Sequence, residues 1–223
     1  MQFDPTILLD RWPDLLHGFL LTLLIWVTGS VLGLTLGFVV GCLQAFAHRA
    51  VRWLCDAYVA VLRGTPFLIQ LFILYYGGPF MGLDLDPLTA GILGLAIYGS
   101  AYFAVIFTSG FASVPKGQIE AARMAGFSRL QIVRYVQVPQ MLVIILPTLA
   151  NMIVILAKET AVLSVITVNE MTSVVSGIGS TTYAYAETLL FLALFYWGLV
   201  EALTFTMRRV EIRVGRFRAR QAR

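Results

Sequence analysis

Only a few polar side chains interrupt the long apolar stretches of this chain. Gln70 sits in "LRGTPFLIQLFILYY", Asn151 and the terminal Lys158-Glu159-Thr160 in "MLVIILPTLANMIVILAKETAVLSVI", and Glu201 in the last apolar run. A fifth place is charged throughout: "GQIEAARMAGFSRLQIVRYVQVPQ", residues 117 to 140, carries Glu120, Arg123, Arg129 and Arg134. Ionisable groups at membrane depth are costly and mark solute paths, proton relays or ion pairs. Bond-breaking chemistry has less to work with. The sequence contains no G-x-x-x-x-G-K-[ST] phosphate loop, nucleophile elbow, H-E-x-x-H or metal-spaced Cys/His cluster. His17 and His48 stand alone, as loop or interface residues, and Cys42 and Cys55 have no pairing pattern. A non-enzymatic role is therefore expected, and any ATP chemistry must come from another polypeptide.

The elements that must position these groups are membrane spans. The 223 residues are 59% hydrophobic and 13% charged, against roughly 25% charged in soluble domains. About 20 apolar residues cross a bilayer as a helix. Five stretches approach that length: 19 to 43, 58 to 76, 88 to 111, 141 to 157 and 189 to 207. The first is too long and too late for a cleaved signal peptide, so a mature N-terminus is expected. The expected fold is an all-α integral membrane protein with one domain over residues 1–223, ending in a basic tail, 208–223.

Charge sets the expected orientation. Thirteen of the sixteen Lys and Arg residues follow the first, third or fifth span, whereas Asp4, Asp10, Asp14, Asp84 and Asp86 lie in the intervening segments. Positive loops face the cytoplasm. This predicts the N-terminus outside and the C-terminus in the cytoplasm, with the excess charge serving topology and lipid contact rather than nucleic acid.

Gly29, Gly33, Gly37 and Gly41 place a smooth stripe along the first span, the pattern that lets helices approach closely in lipid. The neighbour could be in this chain or in a second subunit. Pro66 suits the start of a helix, and Arg63 is expected to snorkel to the cytoplasmic interface. Gln70 is read either as a helix-to-helix hydrogen bond or as a pore-lining group. After Thr160 the chain stays apolar to Ile166 without being long enough to cross, consistent with a segment that dips and returns. Lys158 and Glu159 are either a polar interior or a neutralising pair at a helix end. Glu201 is read as a carboxylate near the inner interface.

Within the charged segment, residues 118 to 125 are strong helix formers, Gly126 suits a left-handed end, and Ser128 can cap a second helix that Pro139 stops near Gln137. Such a hairpin, exposed beside the membrane, needs a partner surface for Ile119, Met124, Leu130 and Ile132. This reads as a docking element in preference to a helix lying on the bilayer.

"EAARMAGFSRLQIVRYVQVP" resembles the EAA loop of permease subunits from binding-protein-dependent ABC importers. It has Glu120-Ala121-Ala122, then Arg123 and two further residues, Gly126, and Val136-Gln137-Val138-Pro139 where that family usually has I-x-L-P. "LRGTPFLIQLFILYYGGP", "AYFAVIFTSGFASVPKGQIEAA" and "FYWGLVEALTFTMRRVE" are similar to the polar amino-acid branch, of the histidine, glutamine and arginine type. The resemblance covers about residues 18 to 211. It implies a type I ABC importer permease fold with five spans in the bacterial inner membrane, paired with an identical or homologous permease. Two ATPase subunits, which would bind ATP and Mg, would dock beneath, and a solute-binding protein would deliver a polar amino acid. No cofactor is expected in this chain. ATPase coupling would fall to Glu120, Ala121, Ala122, Arg123, Gly126 and Pro139 within a loop spanning about 116–140.

Two positions depart from that branch. Val105 stands where a glutamate is common and Thr108 where an arginine is common, and "TSL" becomes Thr160-Ala161-Val162. Joint loss leaves no orphan charge. Either the solute makes fewer charged contacts, or a heterodimeric partner retains them, and the heterodimer is slightly preferred. The expected path residues are Gln70, Thr108, Asn151, Lys158, Glu159 and Thr160. A self-sufficient channel or ion-coupled carrier is the competing class, with only Glu201 and the Lys158-Glu159 pair available as a relay.

Overall fold

The computed structural model of the chain describes residues 6–221; Asp4 and Arg223 lie outside them, as do the side chains of Arg216, Arg218 and Arg220. Ten α-helices and no strand occur among the described residues. A single turn, α1 (Thr6–Leu9), leads into α2 (Trp12–Phe46), which has Pro13 in its first turn. At 35 residues α2 is about 52 Å long, so it outreaches the ~30 Å hydrocarbon core. The apolar stretch at 19 to 43 is its middle portion.

The centre of the bundle is α5 (Pro87–Ser113). Asp86 caps it by accepting the Thr89 amide at 3.1 Å, with Pro87 in the first turn. The Thr89 hydroxyl and amide hold the Asp86 carboxyl below its ordinary range. Small residues alternate with Phe103, Phe107 and Phe111 on the buried faces of α5, so neighbours can approach it on several sides. The glycine stripe of α2 is one of them. Cβ atoms built on Gly29, Gly33, Gly37 and Gly41 would meet Leu95, Ala96, Phe103 and Phe107 of α5 respectively. The neighbour that the stripe requires is therefore inside this chain.

The second span is not one helix. It consists of α3 (Arg49–Gly64) and α4 (Phe67–Tyr75), bent by 106°. Proline disfavours helical geometry in the residue before it, and Thr65 is extended (φ −116°, ψ 142°). Summed hydropathy cannot register this. It also missed the start, since α3 begins nine residues before 58 with Arg49, Arg52 and Asp56 on it. Gln70 closes the bend: its amide nitrogen donates to the Leu62 carbonyl (2.7 Å), the Thr65 carbonyl (3.0 Å) and the Thr65 hydroxyl (2.9 Å). Non-helical backbone at membrane depth survives only where its polar groups are satisfied. The Gln70 amide thus serves its own span. Gln70→Leu is expected to leave the Leu62 carbonyl without this donor and to cost about 1–3 kcal/mol, seen as a lower unfolding temperature in detergent.

A second departure lies after the charged hairpin. Pro139 stops nothing: α7 (Arg129–Ile132), a π turn (Val133–Gln137) and α8 (Val138–Glu159) run on as one rod. The π turn carries the Val138 amide to the Val133 carbonyl, five residues back. This shifts the ladder so that Pro139, which has no N–H, falls in the first turn of α8, where none is needed. Trp26 Nε1 clamps α2 to α8 through the Ile153 carbonyl at 2.8 Å.

A 3₁₀ segment (Thr160–Ile166) extends α8, Thr167 turns at φ 64°, and α9 (Met171–Thr182) packs against α2 and α10 without crossing. Glu170 caps α9. Last comes α10 (Tyr185–Gln221), which packs Phe191, Leu192 and Phe195 against α9 and leaves Leu189, Leu194, Trp197 and Phe205 exposed to lipid or another subunit. Among the described residues four helices are long and apolar enough to cross, or up to five if the bent pair is one span, in agreement with the span count.

Candidate functional site

Halfway along the bundle α3, α5 and α8 line an open groove of about 190 Å³, with Arg63, Thr148 and Asn151 exposed in it. Its polar lining is Arg63, Tyr102, Thr148 and Asn151, and its apolar lining includes Val105 and Met152. Tyr102 lies near the middle of α5, and Thr148 and Asn151 near the middle of α8. The Arg63 guanidinium stacks over the Tyr102 ring at 5.4 Å from its centroid. Phe67, Tyr98 and Tyr102 continue from there as an aromatic row, with centroids 5.0 Å apart at each step. The Arg63 side chain is exposed and turned onto α5 at Tyr102. Hydropathy placed it at the start of a span, whereas it is the penultimate residue of α3.

Of the expected path residues, Asn151 lines this groove. Gln70 is turned to the α3–α4 bend instead, with a buried Oε1. Thr108 faces α2: its hydroxyl donates to Gln44 Oε1 (2.9 Å), and Gln44 Nε2 donates to Asp56 (2.8 Å), tying α5, α2 and α3 together. Lys158 is exposed and Glu159 half-buried, and no ion pair joins them, as expected of neighbours about 100° apart on a helix. Thr160 is fully buried and donates to the Ala157 carbonyl at 2.8 Å.

Arg63, Tyr98 and Tyr102 were missed in the sequence. The available signal was arithmetic: Arg63 is one of three basic residues, with Arg11 and Lys158, outside the basic loops. A second missed group is Glu170, fully buried, whose carboxylate accepts the Thr172 amide (2.8 Å), the Ser173 amide (2.9 Å) and the Tyr196 hydroxyl (3.2 Å).

At the basic end of the bundle the charged segment forms α6 (Lys116–Met124) and a reversal. Phe127 N donates to the Ala122 carbonyl at 3.1 Å and Gly126 N to the Arg123 carbonyl at 3.0 Å, with Gly126 at φ +83°. This is a Schellman end, for which glycine is suited. Ser128 and Gln131 then make a reciprocal capping box at the start of α7. Ile119 and Ile132 fold inward, so the partner surface is smaller than the sequence suggested: Met124 is 89% exposed and Leu130 76%. Glu120 is exposed in the middle of α6 and caps nothing; the N-cap is Pro115. Behind the hairpin is a groove of about 720 Å³ bearing Arg52, Arg123 and Arg129.

A helical bundle with a largely apolar groove at half depth, bearing Arg63, Thr148 and Asn151, and a doubly capped hairpin at one end is the architecture expected of a membrane transport subunit. Residues 16–216 match the family described as binding-protein-dependent transport system inner membrane component, and the chain belongs to that family. It is 33% identical over 212 residues to the arginine transport system permease protein ArtQ of Bacillus subtilis, covering 95% of this chain and 97% of that one. It is 35% identical over 220 residues to the glutamine transport system permease protein GlnP of Escherichia coli K12, covering 96% and 99%. A crystal structure of an amino acid ABC transporter with histidines superposes with a TM-score of 0.89 at 31% identity, over 96% of this chain and all of the other. The inward-facing MetNI methionine transporter, at 22% identity, covers 92% of this chain and 98% of its own with a TM-score of 0.78 and shares the fold. The protein is thus a membrane subunit of an ABC importer, of the amino-acid permease branch and with the type I importer permease fold.

Proposed function

We propose that this permease carries a polar amino acid inward across the bacterial cytoplasmic membrane by alternating access, driven by a separate ATPase. Its N-terminus faces outside and its basic end the cytoplasm. The ATPase pair binds ATP and Mg, and a solute-binding protein presents the amino acid. A second permease completes the pathway, and a homologue is favoured over an identical copy because Val105 and Thr108 lack the charges usual in the branch.

The observation that carries this reading is the hairpin. It is capped at both sides of its bend, it lies at the basic end, and it offers Met124 and Leu130 to a partner. A short helix set in a groove of each ATPase transmits closure of the nucleotide-binding pair as rocking of the spans. Glu120, Ala121, Ala122 and Arg123 form its contact face and Gly126 its bend, and Pro139 lies in the first turn of α8, through which the motion passes into the bundle.

Valine at Gly126 must adopt a positive φ, which costs about 1–2 kcal/mol or more, and so reorients α6. In the complex purified with its ATPase and binding protein, Gly126→Val and Glu120→Lys are each expected to cut solute-stimulated ATP hydrolysis at least tenfold. Unchanged stimulation and assembly in both would refute the coupling role.

A further inference from the structure

Among the described residues, Arg63 donates no hydrogen bond within the chain and no carboxylate lies within 4.0 Å of it. The side-chain group it meets among the described residues is the face of Tyr102, at 5.4 Å. A guanidinium is planar and its five N–H donors lie in that plane, so stacking on a ring holds the group still without consuming its donors. The groove beside it supplies further neutral polar groups, Asn151 and Thr148, and no acid. At about 190 Å³ it is smaller than the ~300–1,000 Å³ of sites for drug-sized ligands, which suits a solute of amino-acid size. An unpaired cation at half depth of a membrane bundle, pre-oriented and flanked by an amide, lacks a planar anion. Carboxylate is the anion that matches its fork in two parallel hydrogen bonds.

We propose that this groove is a carboxylate subsite on the translocation path: Arg63 grips, and Asn151 helps to orient, a carboxylate of the passing solute. The inference rests on the reading of the chain as an amino-acid permease and deepens it, because a carboxylate is common to every amino acid. Val105 lines the same groove as Arg63 and sets the occupancy, since a neutral residue there leaves the cation free for cargo.

The test uses the assembled importer in lipid nanodiscs, without the binding protein, and measures binding of radiolabelled L-arginine and L-glutamine at equilibrium. Competitors are L-glutamate, unlabelled L-glutamine and agmatine, which is arginine without its carboxylate. Arg63→Gln is expected to weaken binding at least tenfold and Arg63→Lys by less. Val105→Glu is expected to weaken it as strongly as Arg63→Gln, by giving the guanidinium an internal partner. Agmatine should fail to compete. Strong competition by glutamate and none by glutamine would place a side-chain carboxylate in the subsite, and equal competition the α-carboxylate; both support the proposal. Affinity within twofold of wild type in Arg63→Gln and Val105→Glu, or agmatine competing as well as arginine, would overturn it. So would Arg63→Gln separating the two permeases on size-exclusion chromatography, which would assign the guanidinium to a carboxylate across the subunit boundary. A wild-type importer that neither takes up amino acids nor hydrolyses ATP in response to them defeats the broader reading instead.

Discussion

Gly37→Leu is expected to abolish folding of the bundle or to lower its unfolding temperature more than any other single change considered. A Cβ on Gly37 would lie 2.5 Å from Phe103 Cβ, 2.8 Å from the Ser100 carbonyl oxygen and 3.1 Å from the Ala104 amide nitrogen. Two of those three atoms are backbone, so no rotamer change can relieve the overlap. Phe103 is fully buried and has nowhere to retreat. The helices must separate, and the loss spreads to Gly33 and Gly41, which meet backbone of the same helix at 3.0 Å. In lipid, packing contact is what drives helix association, so separation forfeits the stabilising term itself. Overpacking of this kind costs about 3 kcal/mol or more, which for a chain of this size lowers the midpoint by roughly 6–12 °C. Gly198→Ala in α10 is the matched control, because nothing lies within 4 Å of a Cβ there, and it should stay within about 0.5 kcal/mol of wild type. Tryptophan fluorescence or size-exclusion stability in detergent reads both, and equal losses at the two positions would refute the account.

The same interface shows what can be read from sequence and what cannot. The stripe and its purpose were legible, because a four-residue glycine repeat has one geometric consequence on a helix. Its partner was not, because α5 lies more than fifty residues away and only the folded chain brings Ala96, Ser100 and Ala104 opposite. The limits of α5 were legible to within two residues at either end, since apolar length, Asp86 and Pro87 agree. The second span was misread because hydropathy is a sum, whereas Thr65 and Pro66 act on direction. The reading of Pro139 failed for a related reason: a proline ends a helix only if its missing donor is needed, and the π turn removes the need. The hairpin itself was read almost in full, including Gly126 at the bend and Ser128 at the cap, because capping is local chemistry. The Arg63 groove was hidden, since it depends on where three non-consecutive helices cross.

Glu170→Ala is expected to have the second-largest effect, through loss of a capping carboxylate that serves three donors at once. Of the first-turn donors of α9, the Met171 amide goes to Thr22 Oγ1, those of Thr172 and Ser173 go to Glu170, and the Tyr196 hydroxyl reaches the same carboxylate from α10. Tyr196 retains a partner in the Thr172 hydroxyl at 2.8 Å, but the two amides do not. Loss of an N-cap costs about 0.5–2 kcal/mol, and buried donors left unsatisfied cost about 1–3 kcal/mol each, so a total near 3 kcal/mol is expected. Glu170→Gln keeps the shape but turns an NH₂ toward one of the two amides, and should cost about 1 kcal/mol.

Acidity separates the two variants further. Burial pushes the Glu170 carboxyl above its ordinary range, and the Thr172 and Ser173 amides and the Tyr196 hydroxyl only partly pull it back. The native state therefore holds this proton more tightly than the unfolded chain does. The associated stability is complete below the ordinary glutamate value of about 4.3 and is lost as pH rises through the higher native value. Wild type should thus lose stability across that window, whereas Glu170→Gln, with nothing to titrate, should show a flatter profile there. Hydrogen exchange of α9 amides locates the damage: faster exchange confined to α9 and its contacts with α2 and α10 is expected in Glu170→Ala. Unaltered α9 protection would mean that the helix is held by Met171, Val175 and Ile178 alone, and that the carboxylate is not its cap in any energetic sense.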